Sequence, residues 1–178
     1  MNAIEIIHKY YAQDTQLYNI LITHSTLVTN KALNIARNHP ELNIDEQFVS
    51  EAAMLHDIGI FMTNAPAIFC FGDFPYIAHG YLGRELLDKE GFHRHGLVCE
   101  RHTGAGLTKE EIIEQQLPIP HRNMFPVSIE EQVICFADCF FSKTHLDTEK
   151  DVDKIIKGMN KFGERSANQF IDWCNMFL

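Results

Sequence analysis

Three observations predict an all-α fold for this chain of 178 residues. Apolar residues recur three and four positions apart through most of the sequence, which is the spacing of one face of a helix. Serine, threonine and aspartate, which cap helices, precede several of these stretches, and glycine or proline follows others. No segment shows the apolar–polar alternation that is typical of a half-buried strand. We therefore expect a compact helical bundle.

The first half of the chain contains three predicted helices. Residues 1–8 have an amphipathic pattern, and a long helix is expected over 17–38, where an Asn-His-Pro sequence ends it. An aspartate is expected to cap the next helix, over 45–59, which runs into a glycine. From 60 to 78, aromatic residues and two prolines interrupt the helical spacing, so an irregular stretch is expected there.

The helical pattern resumes after this stretch. Helices are expected over 79–89 and 94–102, and a capping box at 108–111 predicts a short third one. Three prolines then mark a loop over 118–126, which is either a lid or a rigid connector.

Two further helical segments are expected toward the C-terminus. Ser128 begins a capping sequence, and the apolar positions after it extend to Phe141. Lys143 is expected on the same helix. Residues 150–178 then show the helical spacing again.

Composition and charge narrow the class of protein. Hydrophobic residues make up 46% of the chain and charged residues 22%, which is typical of a folded domain. The net charge of −9 argues against an extended nucleic-acid surface, whereas a small anionic substrate stays compatible because bound cations would reverse the local field. No signal-peptide pattern or membrane-length apolar run is evident. The five cysteines are odd in number and lie among apolar neighbours, so we expect free thiols and a cytoplasmic protein.

The adjacent pair His56-Asp57 is the most informative feature of the sequence. It stands where an apolar helix runs into Gly59, so both side chains are expected to be buried. Burying an imidazole and a carboxylate is costly unless a partner satisfies both. A divalent metal ion does so, because both groups are good donors to it.

Four more residues extend this pair into a candidate metal site. His24 lies on the apolar face of the long helix, His79 opens a helix, His102 closes one, and Asp138 lies beside an apolar stripe. Each has an ordinary interpretation alone, such as a core histidine or a capping group. Together they place one donor on each of several helices, which is how helical bundles build metal sites.

The ordered set His24, His56-Asp57 and Asp138 resembles the motif of the HD superfamily of metal-dependent phosphohydrolases, and His56-Asp57-Ile58-Gly59 resembles its HDIG subgroup. The resemblance implies one helical domain of the HD type over 1–178. Its ligand-bearing core would span about 18–143, and a C-terminal helical segment about 150–178.

In that family, a further pair of histidines between these motifs marks the branch that binds two metal ions, so we expect two ions rather than one. By resemblance, Asp57 would bridge both ions as the catalytic residue, with His24, His56 and Asp138 on the first ion and His79 and His102 on the second. The ions would be divalent transition metals. The ligand types do not distinguish iron, manganese, nickel, cobalt and zinc.

One departure from the family pattern concerns phosphate binding. Many HDIG sequences have a lysine after the glycine, where this chain has Ile60. A cation elsewhere would have to replace it, and each candidate could instead be a solvated surface charge. The candidates for substrate binding are Arg101, Lys109, Arg122 and Lys143.

The leading functional hypothesis is hydrolysis of a small phosphorylated molecule by a metal-activated water. A nucleotide or dinucleotide polyphosphate is expected, because His102-Thr103-Gly104 resembles the branch that cleaves diadenosine tetraphosphate. The alternative is a di-iron oxygenase on the same scaffold, since these donors also suit iron. A third hypothesis is a non-catalytic module with a structural metal. No nucleic-acid or membrane partner is expected, and a homo-oligomer is compatible. The stretch 61–78 would either wall the site or pack against the bundle.

Overall fold

Helices dominate the computed structural model, which describes residues 2–160 and 163–178. The all-α prediction is confirmed. In chain order, the helices of the described residues are α1 (Ala3–Tyr10), α2 (Gln16–Asn38), α3 (Glu46–Leu55), α4 (His79–Lys89), α5 (His93–Arg101), α6 (Lys109–Glu114), α7 (Ile129–Asp138), α8 (Val152–Met159) and α9 (Glu164–Phe177).

Local capping explains where several helices begin. The Asp45 side chain accepts a hydrogen bond from the backbone of Phe48 and so caps α3. Thr108 and Glu111 form the predicted capping box of α6, each side chain bonding to the other's backbone N–H. Ser128 caps α7 in the same way as Asp45 caps α3. These caps satisfy N–H groups that have no partner inside the helix.

The stretch between α3 and α4 contains a small sheet that the sequence pattern did not predict. Its strands are β1 (Thr63–Ala65), β2 (Cys70–Phe71) and β3 (Phe74–Pro75), with β1 in the centre. β1 pairs antiparallel with β2 and parallel with β3. Strands this short cannot display an alternating pattern, which is why the sequence suggested an irregular stretch.

The largest hydrophobic core lies among α2, α3, α7 and α9. Phe136 of α7 is fully buried at its centre, and its ring contacts those of Phe140, Phe170, Trp173 and Phe177 at centroid distances of 5.0–6.4 Å. A second core lies under α1 and the small sheet, and α4 packs closely on α5. These contacts hold the ends of α3, α5 and α7 and the start of α4 near the middle of α2.

The prediction that Lys143 lies on the same helix as Asp138 is wrong. α7 ends at Asp138, and the chain then turns through bonds of the i to i−3 type, such as Phe141 N to the Asp138 carbonyl at 3.1 Å. Lys150 supports this turn, because its Nζ donates to the carbonyls of Cys139 and Phe141 at 3.2 Å each. The turn brings Lys143 back toward the bundle. Among the described residues, no helix has the length and apolarity needed to cross a membrane.

Candidate metal centre

The structure brings together the six side chains predicted as metal ligands, from five helices. They are His24 in the middle of α2, His56 and Asp57 directly after α3, His79 at the start of α4, His102 directly after α5, and Asp138 at the end of α7. All are buried except Asp138, whose side chain is 17% exposed.

Four of these side chains form a first group of donor atoms that lie within 4.8 Å of one another. His24 Nε2 lies 2.9 Å from Asp138 Oδ1 and 3.2 Å from Asp57 Oδ2. His56 Nε2 lies 2.9 Å from Asp57 Oδ2 and 3.5 Å from Asp138 Oδ1. Two imidazoles and two carboxylates therefore face a common centre.

A second group adjoins the first through Asp57. The Nε2 atoms of His79 and His102 lie 3.1 Å apart, and each is 3.5 Å from Asp57 Oδ1. Since Oδ2 of the same carboxylate faces the first group, Asp57 is shared by both groups. This geometry is compatible with one divalent ion or with more.

Backbone carbonyls orient three of the imidazoles. The Nδ1 atoms of His56, His79 and His102 lie 2.6, 2.7 and 2.7 Å from the carbonyl oxygens of the residues three positions earlier. A carbonyl only accepts hydrogen bonds, so each Nδ1 carries the proton and donates it. The Nε2 of each ring then faces the cluster, as in metal-binding histidines.

Several buried atoms of the cluster have no hydrogen-bond partner among the described residues. They include both ring nitrogens of His24, Nε2 of His56 and both oxygens of Asp57. Their close contacts with one another lack hydrogen-bond geometry, and unpaired polar atoms are costly in a protein interior. A divalent cation would satisfy them, and the donors are the nitrogens and oxygens that such ions bind. The cluster therefore fits a divalent metal site.

The pKa values of the cluster reflect burial and the charges of neighbouring groups. Burial raises the pKa of Asp57, but His56 and Lys143 outweigh it and hold this pKa well below its usual range. Burial, aided by the neighbouring His102, lowers the pKa of His79 to about 3. Asp57 is thus ionised and His79 neutral, which are the protonation states that metal ligands need.

Lys143 is the one predicted substrate-binding residue that the structure brings to the cluster. Its Nζ lies 2.6 Å from Asp57 Oδ2, and its side chain is largely buried. Burial lowers the pKa of Lys143, but Asp57 and Tyr76 more than compensate and raise it above its usual value. A lysine that follows α7 thus supplies a cation near the cluster, while the position after the glycine holds Ile60.

The other three candidates lie in structural contacts, and none lines the cavity beside the cluster. Arg101 pairs with Glu131 at 3.0 Å. Arg122 joins Arg84 around the buried carboxylate of Glu100. Lys109 begins α6, where its backbone N–H donates to Asn123.

The loop over 118–126 is anchored to the bundle. Met124 and Leu107 exchange two backbone hydrogen bonds of 2.8 Å, and Arg122 reaches Glu100. Of the two roles left open by the sequence, these contacts favour the rigid connector over the lid.

One neighbour of the cluster, Tyr76, had no individual signal in the sequence, which marked it only as part of an aromatic stretch. Tyr76 stacks on His79 with ring centroids 4.7 Å apart.

Gly59, the last residue of the His56-Asp57-Ile58-Gly59 motif, lies against the start of α4, where an added Cβ would come within 2.3 Å of the His79 carbonyl oxygen. The glycine thus permits the close packing that positions His79.

Comparison with known families shows to which family the chain belongs. The profile of the HD domain family matches residues 21–142, a range that includes all six clustered side chains. The chain belongs to the HD domain family. Membership implies a metal-dependent phosphohydrolase, and the buried histidine–aspartate cluster fits the metal site that such an enzyme needs.

The chain is similar to several curated proteins, including the following three. The chain is 32% identical over 144 residues to an uncharacterized protein of Methanocaldococcus jannaschii, which covers 79% of this chain and 76% of that protein. It is similar to two tRNA (cytidine(56)-2'-O)-methyltransferases. The one from Thermoplasma volcanium is 29% identical over 176 residues, covering 98% of this chain and 45% of the relative. The one from Picrophilus torridus is 35% identical over 121 residues, covering 67% of this chain and 31% of the relative.

The chain thus spans less than half the length of the two methyltransferases. No solved structure matches the sequence.

Proposed function

We propose that this HD-domain chain hydrolyses a small phosphorylated molecule, namely a nucleotide or a dinucleotide polyphosphate. The observation that carries the proposal is the shared carboxylate of Asp57. Its Oδ2 approaches His24 and His56, and its Oδ1 approaches His79 and His102. One carboxylate between two groups of imidazoles is typical of a site that binds two metal ions.

The donor set supports the following assignment, with Asp57 shared by two divalent ions. The remaining ligands are His24, His56 and Asp138 for the first ion, and His79 and His102 for the second. When bound, such ions polarise a phosphoryl oxygen and acidify a water molecule. The protein holds the donors rigidly, because the carbonyl bonds of His56, His79 and His102 orient each ring before any ion binds.

Lys143 has a supporting role in this proposal. Its ammonium group orients the Asp57 carboxylate and adds positive charge where a phosphate would bind. It also lines the cavity beside Asp138, so a bound phosphate can reach it. We therefore expect Lys143 to contact the substrate phosphate in place of the lysine that is absent at position 60.

The test is substrate hydrolysis by the purified chain with Mn²⁺, Fe²⁺, Co²⁺ or Ni²⁺, followed both as released phosphate and as nucleotide products separated by chromatography. The substrates are nucleoside mono-, di- and triphosphates, dinucleotide polyphosphates, and short oligoribonucleotides with terminal phosphates. The last are included because two relatives are named as tRNA methyltransferases. Asp57→Asn should abolish hydrolysis, whereas the exposed Asp14→Asn should not. If the metal-loaded chain hydrolyses none of these substrates, the proposal is wrong.

The same preparation tests the di-iron alternative. Six nitrogen and oxygen donors without a thiolate suit iron as well as manganese. Substrate-dependent oxygen uptake by the iron-loaded chain, with an electron paramagnetic resonance signal on partial reduction, would favour an oxygenase. Phosphate or nucleotide products formed without oxygen uptake would favour hydrolysis.

A further inference from the structure

A cavity of about 750 Å³ adjoins the cluster. It is bordered by the segment after β1, by the turn that follows α7, and by α8. Asp138, Tyr76 and Lys143 line it, so the cavity reaches the residues around the proposed metal ions. Its volume lies in the range of pockets that hold whole organic ligands, which is far more than one phosphate group requires.

Most of the cavity wall is apolar. It is formed by Ala67, Ile68, Phe141, Ile155 and Met159. Such a wall suits the flat face of a nucleobase, whose burial is favourable. It suits a sugar phosphate poorly, because sugar hydroxyl groups would lose water without gaining hydrogen bonds.

Two lysines in the same cavity have no acidic partner among the described residues. Lys150 is held in place by its bonds to the carbonyls of Cys139 and Phe141, and Lys154 is exposed on α8. Asp138, a proposed metal ligand, is the one acidic residue among the described lining residues. The chain has a net charge of −9, so unpaired cations that converge on one cavity are a local feature rather than the general charge of the surface.

Part of the cavity lining lies beyond the segment that the family profile matches. The family match ends at residue 142, whereas Lys143, Lys150, Lys154, Ile155 and Met159 follow it. The metal ligands thus belong to the common domain, whereas the lysines of the cavity come from the segment that follows it.

We propose that this cavity is a substrate subsite, which holds a nucleoside against the apolar wall and a second phosphate on Lys150 and Lys154. The proposal rests on the proposed function, since the reacting phosphate would lie at the cluster. It adds a selectivity: a nucleotide with two phosphate groups binds better than one with a single phosphate, and a nucleotide binds better than the corresponding sugar phosphate.

The test is calorimetric titration of the Mn²⁺-loaded chain with three probes. They are ribose 5-phosphate, adenosine 5'-monophosphate and adenosine 5'-(α,β-methylene)diphosphate, and each is analysed afterwards for breakdown. The adenine should tighten binding relative to the sugar phosphate by roughly tenfold or more. The second phosphate should tighten it again.

Lys154→Met removes the distal ammonium group while keeping the length of the side chain. It should weaken binding of the methylene diphosphate by roughly three- to tenfold and leave the affinity for the monophosphate unchanged. Lys157→Met is the matched control, because Lys157 is exposed on the same helix and does not line the cavity. It should change neither affinity.

Two results would overturn the subsite. One is equal affinity of the wild type for the mono- and diphosphate, or for the nucleotide and the sugar phosphate. The other is a Lys154→Met variant that binds all three probes like the wild type, or that loses the same factor for each. Because these are binding measurements, they are independent of hydrolysis. A chain that binds as described but hydrolyses no substrate would refute the proposed function alone.

Discussion

Replacing His79 by alanine separates the two halves of the proposed metal centre. His79 belongs only to the group formed with Asp57 and His102, and its Nε2 lies 3.5 Å from Asp57 Oδ1. The variant leaves that group with two donors, while the other group keeps all four of its donors. We therefore expect His79→Ala to lose one ion and to retain the other.

The size of the effect follows from the ligand count. Changes to residues that merely support a ligand weaken metal binding by about 10- to 100-fold. Removing a ligand should therefore weaken binding of the second ion by at least about 100-fold. Hydrolysis should fall by a similar factor, because both ions would act on the phosphate. The fold should persist, since a single buried substitution of this kind costs roughly 1–3 kcal/mol.

The measurement is metal content after desalting, together with calorimetric titration of Mn²⁺ into the chelator-treated protein. The wild-type chain should bind two ions, and the His79→Ala variant should bind one. The exposed His93, whose side chain is 76% accessible, provides the control His93→Ala, which should behave as wild type. A His79→Ala variant that keeps both ions, or that loses both equally, would refute the division into two groups.

Three further substitutions test the rest of the reasoning. Lys143→Met should lower kcat/KM by roughly 10- to 100-fold with metal content retained, since a hydrogen bond from its ammonium group to a bound phosphate would contribute about 1.5–3 kcal/mol; unchanged steady-state kinetics would contradict its role. Phe136→Ala should lower the free energy of unfolding in urea by about 3–5 kcal/mol because it empties the centre of the largest core, and a loss under about 1 kcal/mol would mean that this core is misassigned. Gly59→Ala should reduce both stability and activity, because the added Cβ would meet the His79 carbonyl oxygen at 2.3 Å; a variant that melts and turns over like wild type would show that α4 moves freely there.

Most helices could be predicted because their signals are local. Asp45, Ser128 and the pair Thr108 and Glu111 cap their helices with side chains that lie within a few residues of the groups they satisfy. Apolar spacing then identifies the buried face of each helix without reference to the partner. The small sheet has no such signal, because its strands are two or three residues long and depend on pairing with one another.

The end of α7 shows the limit of periodicity. The apolar positions continue to Phe141, so the pattern favoured a longer helix that would include Lys143. The chain instead turns after Asp138, and Lys150, from further along the chain, satisfies two carbonyls of that turn. Phe140 and Phe141 both stay buried in the turn, so apolar spacing alone does not distinguish the turn from a longer helix.

The sequence by itself determined the helical class, most helix boundaries and the six donors, because backbone capping, apolar spacing and the order of the motif are written along the chain. Only the tertiary structure decided which of the four candidate cations reaches these donors. Arg101 and Arg122 pair with carboxylates elsewhere, whereas Lys143 is turned back onto Asp57. The reason is physical: a charged side chain binds whichever opposite charge the fold brings within a few ångströms, and those partners lie tens of residues away in the sequence.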